Sequence, residues 1–351
     1  MGTAFRARLR RHRSARSEDV QGMRTGVSRW HIRPSPLPRE SVSSWLIRIA
    51  AAKGTKHHSL MKELAPGLEF WTRDGDLVAS PELVRALAVK TGTPLERCRR
   101  TTLGAYEGVL AESISGANQS FMVVPLGVRH RIRKAHGQAF CPHCLADDTP
   151  YLPLTWRLRL FPACTKHAAV LMDACPDCDA PYQPHRSGFR HCDGCGLDLS
   201  ALSASIAAPS VLVLQAHNEA VLDGRAVAWP HLHGIHPIAF FAIQLALFRA
   251  IAAKRWGKRV REALHPSIGE IDLDYRTANP SIRSMTVSAA HGVMRGVSRL
   301  LRGWPFGLVG PCGEARAWAS WIVPEEPGVQ TPFALRHVLD TYLRPGSSNA
   351  R

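Results

Sequence analysis

The chain has 351 residues, enough for two or three compact units, and 45% of them are apolar, so most of it folds around cores of its own. Forty-five Lys and Arg against 28 Asp and Glu give a formal charge of +17, a surplus suited to polyanions because neutralised phosphates release counterions. The longest apolar run, Ile238 to Phe248, is interrupted by Gln244 and closed by Arg249, which is too short for a membrane span.

Residues 1–30 are expected to form a disordered basic arm. Arg6, Arg8, Arg10, Arg11, Arg13 and Arg16 lie there with no apolar stretch of the kind a secretory signal needs. The expected location is therefore the cytoplasm.

An N-terminal unit is expected over 31–120. Val42, Trp45, Leu46, Ile49 and Ala50 recur at helical spacing, Gly54 stops them, and a second helix starts near His57 with Leu60, Met61 and Leu64 on one face. Two helices across a Gly turn have the outline of a helix-turn-helix, an outline that ordinary helical cores share. Lys56 and His57, at the start of the second helix, are candidate nucleic-acid contacts. Ser80-Pro81-Glu82 is a helix start, and Gly92-Thr93-Pro94 is the stop. The short segment that follows ends in Arg97, Arg99 and Arg100, either phosphate contacts or a solvated helix end.

A metal-binding module is expected over 121–202. It opens on the densest basic stretch of the folded chain, in which Arg129, Arg131, Arg133 and Lys134 are candidate phosphate contacts. Seven of the nine cysteines then fall between Cys141 and Cys195. With His167 they form four pairs with two-residue spacing: Cys141/Cys144, Cys164/His167, Cys175/Cys178 and Cys192/Cys195. Such a knuckle aims two soft donors at one ion, and two knuckles complete a tetrahedron around zinc. Pro142, Pro176, Gly194 and Gly196 suit the turns. Sequential pairing gives two Zn2+ per chain with loops of 19 and 13 residues between knuckles. Interleaved, cross-braced pairing satisfies the same spacing.

Other chemistries lack their residues. A thiol oxidoreductase pair should open a long helix, but Asp147, Asp148 and Pro150 follow Cys144 at once. A zinc deaminase needs H-x-E upstream of its cysteines, and His217 to Glu219 lies downstream. No C-x-x-C-H, H-E-x-x-H or Walker A motif occurs. Four protein ligands per ion leave no open position, so the expected zincs are structural and no catalytic residue is assigned. A metal-dependent hydrolase using Asp147 and Asp148 is the enzymatic alternative. His143 sits inside the first knuckle. His185 and His191 are expected at the surface or beside the ligands, and Cys98 and Cys312 as buried packing thiols.

Residues 203–345 read as a C-terminal helical unit, with a disordered tail over 346–351. Ile238 to Arg261 reads as one helical stretch, apolar all round and then cationic through Lys254, Arg255, Lys258, Arg259 and Arg261. Met285 to Arg302 forms another helix, with Val287, His291, Met294, Val297 and Leu301 on the apolar side. Arg295 and Arg299 share a second face with Arg302 and are candidate phosphate contacts. Pro305 is expected to end this helix, and Pro332 to Leu343 forms a shorter one. The fold class is mainly α with small zinc-ribbon or zinc-finger elements.

The order of motifs carries more than any one of them. P-x-P-x-E-S-x-x-S-W-L-x-R-x-A (Pro36 to Ala50) precedes F-C-P-x-C-L (Phe140 to Leu145), then Trp156-Arg157, C-x-x-H, L-x-x-x-C-P-x-C and C-x-x-C-G-x-D-L (Cys192 to Leu199), with Trp304-Pro305-Phe306-Gly307 later. This order resembles the TniQ/TnsD family of transposition targeting proteins. The resemblance implies an N-terminal helix-turn-helix domain, two zinc motifs whose ligands are the eight residues above, and a helical C-terminal region. It implies an adaptor that links target DNA, or a target-recognition complex, to an AAA+ regulator and a transposase complex in a bacterial cytoplasm. A guide-RNA effector complex and a homodimer are left open by the sequence. The alternative is a zinc-containing helix-turn-helix regulator that binds DNA by itself.

Overall fold

Ser41 ends an extended segment and accepts a hydrogen bond from Ser44 N at 3.2 Å, which starts α1 (Val42–Ala52). Val42, Trp45, Leu46 and Ile49 turn inward, and Gly54 takes a left-handed φ of 63° to redirect the chain into α2 (His57–Leu64). A short α3 (Gly75–Val78) leads to α4 (Pro81–Thr91), capped by Ser80 with Pro81 in its first turn, and Gly92 at φ 71° ends it before α5 (Leu95–Arg99). Trp30, Trp45, Phe70, Trp71, Leu83, Leu87 and Cys98 bury themselves in the core of this N-terminal group. In the computed structural model the described residues are 29–114, 122–129, 132–133, 135–276, 282–322 and 331–343. Most of the expected basic arm and all of the expected tail lie outside them.

Among the described residues the chain has thirteen α-helices and two minimal two-stranded sheets, so the fold is mainly helical. The sheets are hairpins: β1 (Val128–Arg129) with β2 (Ile132–Arg133), and β3 (Ala163–Cys164) with β4 (Ala169–Val170), both antiparallel. Short helices α6 (Pro142–Ala146) and α7 (Pro184–Ser187) complete the middle of the chain. Phe140, Leu145, Leu152, Trp156, Leu171, Tyr182 and Leu199 form its small core around the cysteines.

The C-terminal group consists of α8 (Pro209–Leu222), α9 (Pro237–Ala252), α10 (Gly257–Ile268), α11 (Val287–Leu301), α12 (Phe306–Glu314) and α13 (Phe333–Tyr342). Helix α9 is apolar around most of its circumference because α10 and α11 pack on it and α8 reaches it through His217, whose ring meets Phe240. Its interrupting Gln244 is fully buried and exchanges two hydrogen bonds, 2.8 and 2.9 Å, with the Asn218 amide of α8. Each amide satisfies the other, so neither carries the cost of an unpaired buried polar group.

Two helix boundaries differ from the sequence expectation. Ile238 to Arg261 is not one stretch: α9 stops at Ala252, and α10 leaves at 100°. Arg261 causes the break locally, donating to Ile251 O at 2.6 Å and Ala253 O at 3.0 Å, which satisfies carbonyls that a continuous helix would have bonded itself. Pro305 does not end the helix before it. That helix already closes at Leu301 with Gly303 at φ 75°, and Pro305 stands at the entry to α12. Among the described residues no single helix is long and apolar enough to cross a membrane.

The Pro36–Ala50 motif joins the N-terminal group to the middle of the chain. Glu40 is fully buried, and its carboxylate accepts from Ser44 Oγ at 2.8 Å, Arg48 Nε at 2.7 Å, Arg48 Nη2 at 2.6 Å and Leu37 N at 2.9 Å. Ser44 Oγ in turn accepts from Leu152 N at 3.0 Å, while Ser41 N donates to Leu152 O at 2.9 Å. Arg157 makes a second joint. It is fully buried and holds Asp74 at 2.6 and 3.0 Å, Asp76 at 3.3 Å, and the carbonyls of Gly137 and Val124. Asp76 also accepts from Ser43 N and Oγ, both at 2.9 Å. Burial raises the Asp76 carboxyl, with the Arg157 charge pulling against it.

Candidate metal centres

Each of the four knuckles is a short turn that the backbone completes. Pro142 starts α6, so the Cys141 and Cys144 thiols fall on one side of a single helical turn. The β3–β4 hairpin carries Cys164 on its first strand and His167 in the turn, where Ala168 takes a φ of 50°. In the third knuckle Asp179 N donates to Cys175 O, and Cys175 N to Ala180 O, both at 3.0 Å. In the fourth, Cys192 N donates to Leu197 O at 2.9 Å, and Gly194 N points at Cys192 Sγ from 3.3 Å. A Cβ at Gly194 would sit 3.1 Å from Cys178 Sγ and 3.2 Å from Ala180 Cβ, so a side chain there crowds the cluster.

The structure brings the first pair to the second and the third to the fourth. Cys141, Cys144, Cys164 and His167 have donor atoms that all lie within 4.8 Å of one another, and so do Cys175, Cys178, Cys192 and Cys195. Pairing is therefore sequential, not cross-braced. His167 Nδ1 is 3.2 Å from Cys144 Sγ, 3.6 Å from Cys164 Sγ and 3.7 Å from Cys141 Sγ. The Cys144–Cys164, Cys175–Cys195 and Cys178–Cys192 sulfurs are each 3.6 Å apart. Zinc bound at about 2.3 Å to sulfur and about 2.0 Å to nitrogen sets neighbouring tetrahedral ligands roughly 3.6 to 3.8 Å apart. All the quoted distances but the shorter 3.2 Å between His167 and Cys144 match that polyhedron, and each cluster could hold one metal ion.

Charge makes the same point. Hydrogen bonds from the Cys144 and Cys164 thiols draw Cys141 down to about 3, with backbone N–H groups helping against burial. Cys144 is pushed up, first by its bond to Cys141 and then by Cys164. In the second cluster burial raises Cys192, but the backbone N–H groups of Cys195 and Gly194 outweigh it and bring the thiol to about 7. Sulfurs this close resist ionising together, and a cation at the centre removes that resistance.

Neighbouring candidates fall outside the clusters. His143 is exposed, its ring 5.6 Å from that of His167. Asp147 forms a surface ion pair with Lys166 at 2.7 Å. His185, expected at the surface or beside the ligands, is instead buried and stacks on Trp71 of the N-terminal group at 5.7 Å and 6°. Cys98 and Cys312 are buried packing residues. Arg190 ties the two clusters together, donating to Leu145 O and Asp147 O at 3.0 Å each.

The nucleic-acid candidates lie on three separate elements. Arg129 and Arg133 are on the strands of the β1–β2 hairpin, and Arg131 and Lys134 lie outside the described residues. Lys56 is exposed just before α2. His57 has a different place from the one expected: its ring packs edge-on against Trp71 at 4.6 Å, and burial, then His58, lowers it to about 4. A neutral packing residue offers phosphate no charge. Arg295 and Arg299 are half-buried on α11, and Arg295 donates to Glu270 O at 3.4 Å. Sequence reasoning missed Asp74, Asp76 and Arg190, whose partners are remote in the chain. Only the Trp156-Arg157 motif hinted at the buried joint.

Residues 31–171 match the family model described as TniQ. No curated protein matches the chain. The matched stretch contains the Glu40 and Arg157 joints and the whole first cluster, and it ends four residues before Cys175. TniQ is a non-catalytic accessory domain of transposition. The match over residues 31–171 supports a TniQ/TnsD-family transposition protein, with a role associated with transposition.

Proposed function

We propose that the chain is a target-selection adaptor of DNA transposition, which links target DNA or a target-recognition complex to an AAA+ regulator and its transposase. The TniQ match over a region organised by a closed Cys3His cluster carries this reading. Zn2+ fills both clusters: thiolate-rich four-donor sets favour it, and with every position taken by protein it supplies folding energy and no open site for chemistry. The protein acts as an accessory without catalytic residues, in the cytoplasm, in contact with DNA. The formal charge of +17 supports that contact, and α1 and α2 supply the helical pair for a helix-turn-helix with Lys56 at its turn. The test is coprecipitation of the purified chain with an AAA+ transposition ATPase from the same genome. Retention on the ATPase with two tightly held zinc equivalents is the expected result. A chain that ignores the ATPase and instead protects a defined operator would be a DNA-binding regulator, and the adaptor reading would fall.

A further inference from the structure

The corner between α9 and α10 is built rigidly from inside. Arg261 holds the α9 carbonyls from Ile251 and Ala253, and Tyr275 Oη donates to Ala252 O at 3.1 Å. A Cβ on Gly257 would lie 2.7 Å from Ala250 O and 2.9 Å from Ile251 O, so the first turn of α10 backs directly onto the end of α9. Trp256 stacks on Trp321 at 5.7 Å and 17°. Five cations fall between 254 and 261, and the corner uses only Arg261. Lys254, Arg255, Lys258 and Arg259 are all exposed, and they are every exposed side chain from 254 to 259. Among the described residues, Lys258 meets Glu262 at 3.8 Å on open surface, and no carboxylate pairs with the other three. The first turn of α10 contains no acid and two of these cations, an arrangement the helix dipole opposes in the free protein.

Among the described residues the surface pair of Lys258 with Glu262 is the one carboxylate contact of this strip, so most of its charge is available to a partner. We infer that the α9–α10 corner is a contact surface for the phosphate backbone of duplex DNA. The inference rests on the adaptor reading, because that reading brings the chain to DNA. Four adjacent cations on a rigid support gain from counterion release without losing side-chain packing. An acidic protein partner would need an apolar centre to dock on, whereas the exposed side chains here are cationic and the aromatic pair is spent on itself.

The test is fluorescence anisotropy of a labelled mixed-sequence duplex with the full chain and with the variant Lys254→Ala/Arg255→Ala/Lys258→Ala/Arg259→Ala, across a salt series. The variant should bind at least about tenfold more weakly, with a salt slope shallower by about three. A comparator, Arg73→Ala/Arg85→Ala/Arg225→Ala/Arg336→Ala, removes equal charge elsewhere and should lose less than about threefold. Equal losses in both would show a net-charge effect and overturn the inference, as would undiminished binding by the corner variant. On the unaltered chain, bound duplex should shield Lys254 and Lys258 from acetylation; unshielded lysines overturn the inference without any variant. If the corner variant keeps DNA but loses the AAA+ ATPase, the corner docks protein, and the inference fails while the adaptor stands. If the unaltered chain holds the ATPase and no duplex, the inference fails alone; failure to hold the ATPase is what overturns the adaptor.

Discussion

The two clusters share ligand spacing, backbone turns and a pair of buried cysteines each, yet their remaining ligands differ in exposure. In the first, Cys141 and Cys164 are 0% and 2% exposed and the cluster lies beside the Arg157 joint. In the second, Cys178 and Cys195 are exposed, and Arg276 bridges a buried Asp173 to a 70%-exposed Asp179. The first lies inside the TniQ match and the second beyond it. Knuckle spacing therefore identifies ligands and says nothing of how much of the fold depends on each ion. Burial and the connections to other elements decide that. The first ion should stabilise the junction of the N-terminal group and the middle of the chain, and the second a more exposed module that touches the N-terminal group through His185.

Removing one buried ligand should have the largest effect. Structural zinc contributes on the order of 10 kcal/mol, as much as the whole stability of an ordinary domain. Cys164→Ser should yield insoluble or protease-sensitive protein, read by soluble yield and limited proteolysis. A soluble variant with its native circular-dichroism melt and a full two zinc equivalents would break the comparison at its stronger end.

The buried joints come next. Arg157→Met leaves Asp74 and Asp76 with no counter-ion in a dry site, a change worth about 3 to 5 kcal/mol. Arg276→Met removes a similar pair, but the Arg276 side chain is 23% exposed and water can reach the site, so about 1 kcal/mol is expected. Chemical denaturation of both variants gives the ratio directly. Equal losses would mean that the two halves of the middle region are equally embedded.

The second cluster should come apart alone. Cys195→Ser should give soluble protein with one zinc equivalent, and a chelator should strip the unaltered chain in two phases, the exposed cluster first. A single cooperative release of both ions, or unfolding by Cys195→Ser as complete as by Cys164→Ser, would remove the distinction.

Legibility in the sequence followed the range of the interaction. The eight cluster residues are readable because each knuckle is a local turn, and the α1 and α4 boundaries because caps and glycines act within four residues. Arg157 meets Asp74 and Asp76 across more than eighty positions, and nothing in the spacing marks such a partner. The break after Ala252 was hidden for a related reason. Apolar residues followed by cations suit a single helix, and it takes Arg261 folding back on the α9 carbonyls, with Gly257 allowing the close approach, to make a corner. His57 was read as a helix-start cation because its aromatic neighbours, Trp71 and His185, come from other parts of the chain.

Acid would protonate thiolates in both clusters, so the response of the helical core has to be separated from metal loss, and His291 provides the means. Its Nε2 accepts from Ala208 N at 3.0 Å, which requires the neutral ring, and burial, then Arg295, lowers it to about 4. In the unfolded chain the ring takes its proton near 6.5. The unfolded state therefore binds more protons between those values: this contribution to stability is fully present above about 6.5 and lost as pH falls through about 4. His291→Gln keeps an acceptor that does not titrate. Between pH 7 and 4.5 its melting temperature should fall by a few degrees less than that of the unaltered chain, and metal release is common to both proteins. Parallel melting curves would show that His291 protonates in place without cost, and the acid response would then belong to the clusters alone.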